Sequence, residues 1–341
     1  MSDRTRLKKF SEFAVSLLPH ETSYLLSVQQ FQDDERLRML ETIHQVAVNP
    51  SKTDLFDVGI DKRKYSHLKN WIEERLADVN VDFQFDWITT TLKHILTDSL
   101  TTDDERKILK LIRSGETNMF YFTKFFELLA EYRQFLLIRL RYQEHNTIDQ
   151  YITTHQVLYD RNRDVFDKLH NATQDIINHY SSITNESIHW ETWLTEVFYD
   201  ESLEGYIRYM ALVRLTFVHF NYRDFEGLVE KYNAIDKWFV KGKFYSKRIL
   251  LNYYSNRVLL HARFKEYDKA VEYGYLSIRQ KNNDYIHYVN NLCAILLRTN
   301  RNKEALQLMR DGYPEMRLTP SFHNKIGFIS FYMRCLMNNQ Q

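Results

Sequence analysis

The sequence predicts an all-α protein, a helical-hairpin array at the C-terminal end preceded by an N-terminal helical domain. Two observations carry this. The 341 residues contain four prolines, none between Pro50 and Pro314, and only eight glycines. Proline breaks helix interiors and glycine loosens them, so their scarcity favours long helices. The second observation is an internal period. Ala270 and Ala305 are 35 residues apart, as are Val258 and Cys293, and Cys293 and Gly327 are 34 apart. A fixed period of about 20–50 residues marks stacked helical or strand units.

Taken in order, residues 1–50 read as two or three short helices. Asp33-Asp34 opens one whose Leu37, Leu40, Ile43 and Val46 form a stripe at helical spacing. Pro50, Ser51 and Gly59 mark a loop, and the next helix ends near Asp78. Val79–Phe85 alternates apolar and polar residues. With no second strand to pair with, this stretch is expected to be an extended connector. A helix follows from Asp86, and then Thr102 caps another. That one has acids in its first turn, Arg113 in its last and Gly115 just beyond, as the helix dipole and C-cap geometry favour.

Two long helices are expected at the centre. The first spans Asn118–His145, apolar over more than half its circumference and so buried on several sides. The second spans Ile148–Ser182, with Leu158, Val165, Phe166, Leu169, Ile176 and Ile177 inward, and the hairpin closes near Asn146. The polar stretch Ser181–Ser187 divides an N-terminal domain, residues 1–182, from the array, residues 183–341. Asp224-Phe225-Glu226 resembles the inter-helix turn Glu266-Tyr267-Asp268. Phe225 and Tyr267 are 42 residues apart, longer than the later period by about two helical turns, so the repeat phase is kept.

Composition narrows the function. Hydrophobic residues make up 44% of the chain, enough for a core beside 27% charged residues. A net charge of +1 gives no whole-surface attraction to nucleic acid. The 23 tyrosines and 22 phenylalanines read as filler between helices. Cys293 and Cys335 lie on faces expected to be buried, where a thiol acts as a small hydrophobe. The first twenty residues read as an amphipathic helix rather than a signal peptide, because Glu12 interrupts the apolar run. No stretch approaches the roughly 20 apolar residues of a membrane span. These features suggest a cytoplasmic protein with no membrane partner.

The C-terminal quarter resembles the tetratricopeptide repeat, a 34-residue helix pair. Leu292-Cys293 stands where that family has Leu-Gly, with Leu296 at the following apolar position. Ala305, Met309 and Gly312 match the small, bulky and small positions of the second helix. Around Leu251 the match is looser. Ala270, Ser277 and Ile278 fit, Arg257-Val258 replaces Leu-Gly, and Gly274 takes the place of a large aromatic. Ile326-Gly327 begins a third copy. The resemblance implies a scaffold that binds another protein or a peptide along the first helices of its units. Asn256 and Asn291 then form one pair of rungs, Arg263 and Arg298 a second, and Lys325 is the third-copy counterpart of the asparagines. Asn amides can bond a peptide backbone, and Arg and Lys suit acidic side chains or a free C-terminal carboxylate.

Two other constellations merit weighing. Residues 237–248 hold five basic residues, Lys237, Lys241, Lys243, Lys247 and Arg248, among four aromatics and no acid. Basic charge attracts phosphate and exposed rings stack on bases. The turn could therefore bind nucleic acid or an acidic partner, or be a core turn at Gly242 with solvated lysines. Glu41/His44 and Glu186/His189 have the Glu-x-x-His spacing of helical di-iron sites. Such a site needs further glutamates facing them, and the simpler reading is helix-end polarity. There is no glycine-rich phosphate loop and no local nucleophile signature. The expectation is a non-enzymatic chain with no cofactor and no metal.

Overall fold

The computed structural model describes residues 7–115, 117, 119–181 and 187–340. Among these residues every regular element is helical and no strand occurs. The chain divides into two compact units, Met1–Val79 with Tyr232–Gln341, and Asn80–Lys231. The boundary expected at residues 182/183 lies outside the described residues. Contacts between the two ends of the chain hold the first unit together.

The first unit holds α1 (Lys8–Ser16), α2 (Pro19–Val28), α3 (Asp34–Val48) and α4 (Lys62–Val79). It also holds the end of α11 (Phe225–Val240), then α12 (Lys247–Arg263), α13 (Tyr267–Ser277), α14 (Tyr285–Arg298), α15 (Asn302–Leu318) and α16 (Phe322–Asn338). Buried and part-buried polar bonds join its two stretches of sequence. Arg279 Nη1 donates to the carbonyls of Leu17 (3.0 Å) and Ala47 (2.5 Å). His20 bonds Tyr254 Oη and Asp236 Oδ1, each at 2.7 Å. Glu21, fully buried, accepts from Leu18 N (2.7 Å) and from Tyr245 Oη (2.5 Å). Burial pushes the Glu21 carboxyl upward, with Lys247 and these two donors opposing.

In α12–α16, successive helices pack in pairs, and α12 also meets α14 as α14 meets α16. Small residues sit at the contacts. Ala270 and Ala305 are wholly buried. A Cβ on Gly274 would lie 2.5 Å from Leu292 Cδ1, and one on Gly312 would lie 3.2 Å from the Phe328 ring. At Gly274 the Leu292 side chain of α14 fills the space a side chain would need, which explains why a large aromatic is absent there. Cys293 and Cys335 are free, buried and 3.6 Å apart at sulfur.

The second unit holds α5 (Val81–Leu96), α6 (Thr102–Ser114), α7 (Phe122–Ile138), α8 (Tyr142–Ser181), α9 (Trp190–Tyr199) and α10 (Gly205–Tyr222). Three expectations are corrected here. Val79–Phe85 is not an extended connector: Asn80 Oδ1 accepts from Asp82 N (3.0 Å) and Phe83 N (3.4 Å), and α5 starts at Val81. The N-cap of α6 is Thr101, in a capping box with Asp104, rather than Thr102. The central hairpin closes at Arg139–Arg141, not near Asn146, because Leu140 turns into the left-handed region at φ 60°. Along α8, Leu169 and Ile176 are buried as expected, whereas Phe166 and Ile177 are exposed and Asn162 and Ala172 complete the inward stripe.

One turn recurs. Glu266 N bonds His261 O and Lys265 N bonds Ala262 O; 35 residues on, Arg301 N bonds Leu296 O and Asn300 N bonds Leu297 O. Asp224 N to His219 O and Arg223 N to Phe220 O repeat the same pattern 42 residues earlier. Arg223, Lys265 and Asn300 all have φ near +60°. The Schellman geometry of these caps satisfies the last carbonyls of each helix.

Candidate functional site

The first helices of the C-terminal pairs, α12, α14 and α16, share one property. None contains an aspartate or glutamate, in a chain with 45 acids against 46 lysines and arginines. Most acids of this region are on the second helices, Asp268 and Glu272 of α13 and Glu304, Asp311 and Glu315 of α15, while Glu266 and Asp284 stand at the N-caps of α13 and α14. Helical spacing then puts Asn252, Asn256, Leu259 and Arg263 on one side of α12, and His287, Asn291, Ala294 and Arg298 on one side of α14. None of these eight is fully buried, and they correspond at a spacing of 35.

Asn256 Nδ2 donates to Asn252 Oδ1 (3.1 Å). Asn291 Nδ2 donates to Ser255 Oγ (3.1 Å), tying α14 to α12, and lies 3.2 Å from His287 Nε2. Among the described residues neither Oδ1 accepts a hydrogen bond, so each offers an acceptor for a peptide N–H. Arg263 and Arg298 are both exposed, and the Arg298 guanidinium lies 5.5 Å from the Tyr267 ring centroid.

Lys325 is half-buried and in no ion pair among the described residues. Burial shifts its register, however. Val258, Cys293 and Phe328 are all fully buried and 35 residues apart. On that register Ile326, not Lys325, follows Asn256 and Asn291. The sequence signal was ambiguous because Gly327, 34 residues after Cys293, imitates the family's glycine.

The basic turn lies between α11 and α12. Lys237, Lys241, Lys243 and Arg248 are exposed. Lys247 Nζ is 3.8 Å from buried Glu21 Oε1, so it is partly committed to the interior. Phe239, Phe244 and Tyr245 are buried, and Trp238 stacks on Phe244 with centroids 5.2 Å apart. The turn carries a cationic rim whose rings are largely taken up by the core.

Of the Glu-x-x-His residues, Glu41 and His44 belong to the first unit and His189 to the second. His44 Nδ1 bonds Thr22 Oγ1 (2.7 Å) while Glu41 is exposed. His189 is exposed and 3.9 Å from Asp175, and Glu186 lies outside the described residues. A different trio stands in the second unit. His219, fully buried, has Nδ1 2.9 Å from Asp224 Oδ2, and its Nε2, without a hydrogen-bond partner, is 4.0 Å from Glu191 Oε1. Burial and then nearby Lys231 push this imidazole downward, with Glu191 and Asp224 opposing.

Sequence reasoning also missed a cleft of about 370 Å³ in the second unit, walled by Phe85, Tyr121, Phe166 and Tyr206. Glu204 lies at its edge and accepts from Thr123 N (2.6 Å), capping α7. Burial pushes its carboxyl up to about 7, against the pull of the Thr123 bonds. Nothing in the local sequence around Glu204 marks it, because its burial comes from α7 and α8.

No protein-family model, curated protein or solved structure matches the chain. Among the described residues no helix is long and apolar enough to cross a membrane.

Proposed function

We propose that the chain is a protein- or peptide-binding scaffold whose C-terminal helices form a tetratricopeptide-like array, with the ligand held along α12, α14 and α16. The observation that carries this reading is the segregation of charge: three neighbouring first helices without an acid, and two exposed arginines at repeat-equivalent positions. Two further features support it, the recurring turn and the small residues at the helix contacts. The asparagine Oδ1 atoms meet backbone N–H groups, and the arginines meet acidic side chains or a terminal carboxylate. Losing a charge-assisted hydrogen bond costs about 1.5–3 kcal/mol. The double variant Arg263→Ala with Arg298→Ala is expected to lose captured partners in pull-downs from host extract while its circular dichroism is unchanged. Retention of the same partners by the variant contradicts the assignment.

A further inference from the structure

The register of the repeats has a consequence for α16. Its residues equivalent to His287, Asn291, Ala294 and Arg298 are Phe322, Ile326, Ile329 and Met333. These four apolar side chains are 75%, 54%, 49% and 59% exposed, and Met337 extends the row at 74%. The opposite side of the helix is already used, since Phe328 and Cys335 are fully buried against the preceding helices. A helix apolar on both sides is normally covered on both, and a contiguous exposed apolar row marks a docking surface. The row is continuous with the polar face, because α16 packs on α14 and Asn290 Nδ2 donates to Asn324 O (3.1 Å).

We propose that this face docks a single protein segment of two parts: an acidic stretch over α12 and α14, and an adjoining cluster of bulky apolar side chains seated on α16. The proposal rests on the binding reading above and names the chemistry of the partner. Charge selects the occupant. The row is flanked by Lys325 on one side and Arg334 on the other, and α16 has no acid. A second copy of the chain fits poorly. A two-fold antiparallel pair of α16 helices sets like flank against like flank, so neither Lys325 nor Arg334 of one copy meets an acid on α16 of the other and both cationic flanks stay uncompensated. A segment with acids beside its apolar cluster satisfies both flanks and continues towards Arg298 and Arg263.

The test uses the full chain and three fluorescein-labelled synthetic peptides of equal length. The first joins a run of Glu to a cluster of Phe and Leu. The second replaces Phe and Leu with Ser, and the third replaces Glu with Lys. Fluorescence anisotropy should show the first binding at least about ten-fold more tightly than either control. The double variant Ile329→Gln with Met333→Gln alters only exposed positions. It should bind the first and second peptides alike, with an unchanged melting temperature. Equal binding of the first two peptides by the native chain overturns the proposal and leaves the scaffold reading standing. Equal binding of the first and third removes the charge selection and overturns it. Failure to bind any of the three overturns both readings. So does a different result for the occupant: if light scattering shows a dimer that the double variant converts to monomer, α16 belongs to a second copy and the proposal falls.

Discussion

Glu204 shows how far burial changes one carboxyl. Its folded value of about 7 stands above the ordinary 4.5. Below pH 4.5 the group is protonated whether the chain is folded or not, and it imposes no penalty. As pH rises towards 7 the unfolded chain ionises freely while the folded one resists, so stability is lost over that window. The shift corresponds to something on the order of 3 kcal/mol. Glu204→Gln keeps an acceptor for Thr123 N and removes the titration. Urea denaturation is expected to show the native chain losing stability between pH 4.5 and about pH 7 relative to this variant, and levelling off above that. Glu21 is buried too, but its bonds differ. Tyr245→Phe removes the phenol that donates to Glu21 and leaves a buried carboxyl with one donor fewer. A loss of about 1–3 kcal/mol should appear in thermal or chemical melts.

At the scale of the element, the sequence was most legible where local chemistry decides. The Asp33 cap, the acids that open α6 and Gly115 at its end, with φ 64°, all lie within a turn of the features they control. Val79–Phe85 misled because alternation over so few residues fits either period. Asn80 as an N-cap was the better signal, and Phe83, 56% exposed, shows that the alternation did not reflect a buried sheet face. The break between α7 and α8 was invisible because it uses neither glycine nor proline. Of the candidate face, the asparagine and arginine rungs could be read from their spacing, while the α16 row required knowing that Phe328 rather than Gly327 occupies the buried register. The small residues at helix contacts give a direct test. Gly274→Ala would ordinarily favour a helix by about 1 kcal/mol. Here the new methyl meets buried Leu292, and overpacking of about 1–3 kcal/mol is expected to dominate. Ala305→Phe should lower the melting temperature further.

At the scale of the whole molecule, sequence order and spatial order diverge. Residues 80–231 form one compact unit from a single stretch of chain, and the other unit needs both ends. That arrangement rests on bonds such as Arg279 to Ala47, between residues more than two hundred positions apart. No local pattern encodes such a bond, whereas the polar stretch near residue 182 is a local pattern and so stands out in the sequence. A polypeptide of residues 80–231 expressed alone is expected to melt cooperatively by circular dichroism. One of residues 183–341 should not, since it lacks the α2 groups that meet Tyr245 and Tyr254.

The helix ends hold an unused margin of thermal resistance. Asp98, Leu140, Arg223, Lys265 and Asn300 all adopt the backbone conformation that glycine takes at no steric cost. For a residue with a side chain the left-handed region costs roughly 1–2 kcal/mol, though asparagine and aspartate tolerate it better. Leu140 is a well-placed example, 68% exposed and so with little packing to forfeit. Glycine at Leu140, Arg223 and Lys265 relaxes three such caps at once without touching the α12–α16 face. A chain re-engineered at these three positions should survive heating that unfolds the native one, which makes it a sturdier vehicle for every binding variant described above.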